Sequence, residues 1–331
     1  MKKDVKQARE SIFKHSASPE GIAIKGYEFN QGFDLNKFLQ AYASSGFQAT
    51  HLAKAIEILK RMKQDREKTP GFKLFLGYTS NQVSSGNREI IRYLVEHSLV
   101  DAIVTTAGGV EEDFIKCMKP FVLGDFRADG SKLRDQGINR TGNIYVPNDR
   151  YCDYEDFLRP ILDELTANKT KNITLTPSEL TKILGERINN KESIYYWAAK
   201  HNIPVFCPAI TDGSTGDIIF FYQYLKQFIA LDIAADNAKL NKLAIEAEKT
   251  GVFIIGAGLI KHQILNANMM REGADYAVYL NTSAEYDGSD SGAEPEEAKS
   301  WGKLSKDVNT VKVVCDATIA LPLIVAGAYL Q

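Results

Sequence analysis

Residues 285–303 read EYDGSDSGAEPEEAKSWGK. Six carboxylates (Glu285, Asp287, Asp290, Glu294, Glu296 and Glu297) precede any basic residue, and Lys299, Trp301 and Lys303 then follow. A spaced set of acids suits a linear polyamine, because each ammonium taken out of water needs a carboxylate partner. A tryptophan face adds cation–π attraction. A lysine in the same place offers a nucleophile for Schiff-base chemistry. Lysines in general do this only as the neutral amine, which desolvation or a neighbouring cation favours and surrounding acids oppose. Asp212 and Asp217, in the glycine-rich turn DGSTGD, extend the acidic set. The plain alternatives are a solvated acidic loop or an oxygen cluster of the calcium type, although Asp287 and Asp290 lack EF-hand spacing.

Three turns of small residues offer a second chemistry. Gly256-Ala257-Gly258 follows an apolar run and opens a helical pattern, and Gly108-Gly109 and Ser84-Ser85-Gly86 stand in equivalent places. Such turns let backbone amides reach a phosphate at a helix N-terminus, so the three together point to a dinucleotide site. Lys261 occupies the place of the third glycine of GxGxxG, and tight turns needed only for packing are the alternative. His262, next to Lys261 at the start of that helix, is placed to act as a general base. His15, His51, His97 and His201 lie on helical patterns and read as structural. The five histidines and four cysteines show no metal spacing.

These residues must be carried by strands and helices in alternation. KLFLGY (73–78), AIVTT (102–106), NIYV (143–146), IPVFC (203–207), VFIIG (252–256), YAVYL (276–280) and VKVVC (311–315) are continuous apolar runs. Strands buried on both faces of a parallel sheet look like that. Leu52, Ala55, Ile56, Leu59 and Met62 recur at helical spacing, as do Ile91, Leu94 and Val95. Thr176-Pro177-Ser178-Glu179 predicts a helix start with a capping box, and Leu240, Leu243 and Ala247 predict a helix ending near Gly251. Ligands of such sheets bind beyond the carboxyl ends of the strands, which is where the turns above fall. The expected class is α/β, with residues 1–50 as an N-terminal appendage and 51–331 as one domain.

The 331 residues carry a net charge of -2, with 44% hydrophobic and 25% charged residues. That is a globular composition with no electrostatic case for nucleic acid. MKKDVKQARESIFKH has no apolar core of a signal peptide. Ala317–Leu330 is too short to span a bilayer and contains Pro322 and Gly327, so it predicts a buried helix. Cys117, Cys152, Cys207 and Cys315 stand singly, as expected of reduced thiols in a cytoplasmic protein.

Matching stretches run nearly end to end: KGYEFNQG, SGFQAT, FLGYTSNQVSSG, TTAGGVEEDFIKC, INRTGNIYVPN, FCPAITDGSTGD, GAGLIKHQILNANMMREGADYAVYLNT, YDGSDSGAEPEEAKSWGK and VVCDA. On these the chain resembles deoxyhypusine synthase. The resemblance implies a Rossmann-like, doubly wound, mainly parallel sheet with helices on both faces. It implies bound NAD and a homotetramer with active sites at subunit interfaces. The implied reaction oxidises spermidine, passes its aminobutyl part to an enzyme lysine with release of 1,3-diaminopropane, and transfers it to a lysine of translation initiation factor five-A. By resemblance, Lys303 carries the imine and His262 takes a proton. Asp217, Asn266, Tyr279, Gly288, Ser289, Asp290, Glu297 and Trp301 match the spermidine site. Ser80, Asn81, Ser84, Thr106, Ala107, Gly108, Glu112, Asp212, Gly256, Thr282, Ser283, Asp287, Asp316 and Ala317 match the NAD site. Ala257 and Thr215 depart from the family pattern, and Thr215 is expected to neighbour the polyamine acids. Homospermidine synthesis, with putrescine as acceptor, uses the same lysine. A silent subunit would have lost it.

Overall fold

A computed structural model describes residues 2–167, 173–226 and 229–330. Among these the strands are β1 Phe72–Tyr78, β2 Ala102–Thr105, β3 Val122–Leu123, β4 Ile138–Thr141, β5 Ile144–Pro147, β6 Ile173–Leu175, β7 Val205–Phe206, β8 Ile229–Leu231, β9 Lys249–Ile255, β10 Ala274–Asn281 and β11 Leu304–Val314. Six of them form one sheet in the order β11-β10-β9-β1-β2-β7, with every pairing parallel. Counted along the sheet, the order reverses between β1 and β9, as in a doubly wound dinucleotide-binding fold.

Alternate side chains of each strand leave opposite faces of the sheet. Leu74, Leu76 and Tyr78 of β1, with Phe253 and Ile255 of β9, enter a core shared with helices Phe47–Lys68, Asn87–Glu96 and Ala317–Tyr329. Phe75, Val252 and Ile254 enter a second core under helices Ile233–Ile245 and Leu259–Met269. With both faces covered, the strands have no water-facing side, which explains their unbroken apolar runs. Full burial of a side chain such as Phe253 is worth about 2–3 kcal/mol.

Three local readings meet a correction or a refinement. The run at 143–146 is not a strand of the parallel sheet: β5 pairs antiparallel with β4 and β3 in a small separate sheet, where most of its residues are only partly buried. Four apolar residues do not by themselves distinguish a buried parallel strand from one arm of a hairpin. The helix through Leu240 ends at Ile245, and Gly251 lies inside β9. A Cβ at Gly251 would sit 2.9 Å from Met62 Sδ, so glycine is there for close approach of the Phe47–Lys68 helix. Thr176 and Glu179 form the expected capping box, with Thr176 Oγ1 accepting from Glu179 N at 3.2 Å. Near the N-terminus, helix Lys2–Ile12 leaves Val5 and Ile12 exposed. No helix among the described residues is long and apolar enough to cross a membrane.

Candidate active site

The reversal of strand order opens a crevice at the carboxyl ends of β1 and β9. Tyr78 and Ile255 are register neighbours, and Thr79 N donates to Ile255 O at 3.2 Å. Gly256, at φ +95°, passes over Thr79 where a Cβ would come within 2.4 Å of Thr79 Oγ1. Backbone therefore floors the crevice. Asn81, Gly256, Ala257, Thr282, Ser283, Asp316 and Ala317 line a cavity of about 160 Å³ there.

Beside it, Thr106 Oγ1 accepts from Ser80 N at 3.0 Å, and Ser84 Oγ donates to Glu112. Thr106 thus spends its hydroxyl on Ser80 and does not cap the helix Ala107–Met118, leaving that N-terminus without a side-chain cap. A Cβ on Gly108 would lie 2.8 Å from Ser80 Cβ, so this turn is also closed to side chains. Asp212 precedes Gly213, which approaches Ala107. Burial pushes the Glu112 carboxyl up to about 7, with Glu111 adding to the rise while Ser84 and Lys116 oppose it. A glycine floor, an uncapped helix start and neighbouring carboxylates are what a dinucleotide needs for its pyrophosphate and ribose hydroxyls. The residues present fit NAD.

A second cluster lies on the face covered by the Leu259–Met269 helix. The Tyr279 side chain is fully buried, and its hydroxyl has no hydrogen-bond partner among the described residues. Asp290 Oδ2 is likewise buried and unpartnered. Burial raises the Tyr279 phenol well above its ordinary value, and Asp290 adds to that. The ammonium of Lys261, 1% exposed, stands 5.0 Å from the Tyr279 ring centroid. Burial lowers its pKa, while Asp290 opposes the shift.

Lys303 is 8% exposed and follows Gly302, whose φ of +70° turns the chain after helix Pro295–Ser300. Its own N–H donates to Ala298 O at 3.0 Å and its carbonyl accepts from Ala274 N at 3.1 Å, which ties it to the start of β10. Its Nζ lies 5.7 Å from the Trp301 ring centroid and makes no hydrogen bond or ion pair among the described residues. Trp301 itself is 65% exposed. Glu297 is exposed on the preceding helix, and Gly288 and Ser289 are exposed in the acidic loop. Asp287 accepts from Ser289 N at 2.8 Å, and that bonding to Ser289 holds its carboxyl below the usual range.

His262 and Asn266 occupy neighbouring turns of one helix, with Asn266 Nδ2 3.2 Å from His262 Nδ1. Both line a cleft of about 520 Å³ with Cys207, Pro208 and Asn237. As placed, Asn266 Nδ2 donates to Nδ1 and the ring hydrogen falls on Nε2; Nε2 accepts a proton once the Asn266 amide is turned so that its oxygen faces Nδ1–H. Asp217 is exposed in the first turn of helix Ser214–Leu225, and among the described residues no hydrogen bond or ion pair joins it to the Asp290 cluster.

The Thr215 side chain is turned into the core two residues before the exposed Asp217: it is fully buried, 2.9 Å from Tyr154 Oη, and its N–H donates to Glu111 at 2.8 Å. Sequence reading also passed over Glu111, which accepts from Ser214 N as well and so holds the turn bearing Asp212 and Asp217. Lys312 was passed over too, although a lone lysine inside the apolar run VKVV is a legible signal. It is 4% exposed and pairs with Glu294 at 3.0 Å. Among the described residues no group of three or more His, Cys, Asp or Glu is arranged to hold a metal ion.

Comparison with known proteins agrees with this arrangement. The model of the family "Deoxyhypusine synthase" matches residues 37–328. The deoxyhypusine synthase of Arabidopsis thaliana is 50% identical, covering 96% of this chain and 94% of its own. Homospermidine synthase 2 of Senecio vernalis is 48% identical, covering 99% of this chain and 95% of its own. A solved Entamoeba histolytica structure assigned to deoxyhypusine synthase superposes with a TM-score of 0.69 at 32% identity, over 93% of this chain and 97% of its own. With the family model spanning nearly the whole chain and half of its residues shared with a full-length relative, the chain belongs to the deoxyhypusine synthase family.

Proposed function

We propose that the chain transfers the aminobutyl group of spermidine, through an imine on Lys303, to a lysine of translation initiation factor five-A. The observation that carries this is Lys303 itself: a lysine with only 8% of its surface exposed, its amine beside a tryptophan ring and without a hydrogen bond or ion pair among the described residues. NAD, when bound, would accept the hydride lost from a carbon next to the secondary nitrogen of spermidine and return it at the end.

The chain's own residues do the rest. The unpartnered Asp290 carboxylate oxygen and Tyr279 hydroxyl receive ammonium groups of the polyamine, since buried polar groups demand partners. Trp301 covers the cation with its ring. His262 takes the proton released as the hydride leaves. Lys303 Nζ then attacks the oxidised carbon, forms a C–N bond and expels 1,3-diaminopropane. It holds the remaining four carbons as an imine until the acceptor lysine displaces it.

Residues 51–331 act as one catalytic unit with 1–50 as an appendage, and the enzyme works in the cytoplasm as a homotetramer with sites at subunit interfaces. Asp217 supports the interface: it shares a helical face with Phe220, Phe221 and Tyr224, which are 54%, 61% and 79% exposed. A partner covering those rings brings its own site residues toward Asp217.

Putrescine is the second acceptor to test, because the Senecio vernalis homospermidine synthase is as similar as many of the deoxyhypusine synthases. Labelled spermidine is incubated with NAD and either the factor or putrescine. Label in the protein is the expected result. Label found only in a small polyamine overturns the protein acceptor. Borohydride trapping with peptide mapping is expected to mark Lys303, and a trap that never marks it overturns the mechanism.

A further inference from the structure

Lys312 stands in the buried stretch Val311–Val313 of the edge strand β11, and its register partner on β10 is Tyr279. The two side chains leave the sheet on the same face. Lys312 Nζ donates to Gly292 O at 2.6 Å and pairs with Glu294. From the helix packed over that face, Lys261 Nζ donates to Ala293 O at 2.8 Å and to Asp290 O. Two buried ammonium groups therefore grip three carbonyls within four residues. The gripped segment lies between β10 and helix Pro295–Ser300 and has no regular ladder of its own. The loop is already compact at this point: Gly292 N donates to Ser289 O at 3.1 Å, and a Cβ on Gly292 would run into Ala284 O at 1.7 Å.

The choice of partners matters. A buried ammonium close to a buried carboxylate ordinarily pairs with it. Here neither lysine bonds the Asp290 carboxylate, and Asp290 Oδ2 is left without a partner. The lysines are satisfied by backbone carbonyls and Glu294 instead, which keeps the aspartate oxygen available. Breaking the grip would free the segment to turn that carboxylate toward Lys261.

We propose that Lys312 and Lys261 are positioning residues for polyamine recognition, clamping the Asp290–Ala293 backbone so that the Asp290 carboxylate stays unpaired for the ammonium of the substrate. This rests on the spermidine reaction proposed above.

The test uses the full chain with Lys312→Met, which keeps an unbranched side chain one atom shorter and removes the ammonium. The KM for spermidine is expected to rise at least about tenfold (~1.4 kcal/mol). Turnover at saturating spermidine and the Kd for NAD are expected to change by less than about threefold, below ~0.7 kcal/mol. An unchanged KM overturns the clamp. So does an equal loss of NAD and spermidine affinity, which would mean general structural damage. Should Lys312→Met fail to fold, Lys261→Met removes the other grip, on Asp290 O and Ala293 O, and a spermidine KM equal to wild type in that variant also overturns it. A double-mutant cycle adds a readout that damage elsewhere would not move. With Asp290→Asn present, Lys312→Met is expected to raise KM little further, and full additivity overturns the proposal. Wild-type protein that fails to turn over spermidine would overturn the function proposed above instead of the clamp alone.

Discussion

Thr79 and Gly256 meet across the switch point of the sheet, so closely that a Cβ on Gly256 would lie 2.4 Å from Thr79 Oγ1. The contact joins the carboxyl ends of β1 and β9, the two strands whose neighbours run away in opposite directions. It makes the floor of the crevice a backbone surface.

Gly256→Ala tests that crevice. The new methyl meets Thr79, and φ +95° strains any residue with a Cβ by about 1–2 kcal/mol. NAD affinity is expected to fall at least about tenfold (~1.4 kcal/mol), measured by calorimetry. Unchanged affinity would place the dinucleotide elsewhere.

Lys303→Arg keeps a cation in nearly the same volume but cannot form the imine. Aminobutyl transfer is expected to vanish, with NAD affinity within about twofold of wild type (~0.4 kcal/mol). Robust transfer by this variant removes Lys303 from the mechanism.

Trp301→Ala removes an exposed ring whose centroid lies 5.7 Å from Lys303 Nζ. Cation–π contacts are worth ~0.5–2 kcal/mol, so the spermidine KM should rise roughly 2- to 30-fold. NAD binding should hardly move. Equal weakening of both ligands would mean that the ring is structural.

Glu112→Gln reads the effect of burial on a carboxyl. The folded chain holds this group at about 7, against an ordinary value of 4.5. Between those values the folded state binds more protons than the unfolded state, so this group lowers stability as pH rises through the window. Removing it should stabilise the protein at pH 8 by up to ~3 kcal/mol and leave stability at pH 4 unchanged, as read from urea midpoints. NAD affinity should fall in the same variant. A difference between variant and wild type that does not depend on pH would contradict the assigned burial effect.

The amino-acid sequence by itself determined the layers and the family. Unbroken apolar runs announced buried parallel strands, because a strand covered on both faces has no polar side to show. The long runs at 252–256 and 276–280 were extended by the structure to β9 and β10, whereas the short run at 143–146 went to a hairpin. The acids, the tryptophan and the lysine of 285–303 stood out as a candidate site because their types and spacing suit a polyamine. Only the tertiary structure decided which polar groups are satisfied. Asp290 and Lys312 are 22 positions apart in a list of letters. Folding sends Lys312 to the Gly292 carbonyl and leaves Asp290 Oδ2 buried without a partner. It also turned Thr215 into the core against Tyr154. Partnership depends on distances that close only when β10, β11 and the Leu259–Met269 helix pack together, and no local pattern of residues encodes them.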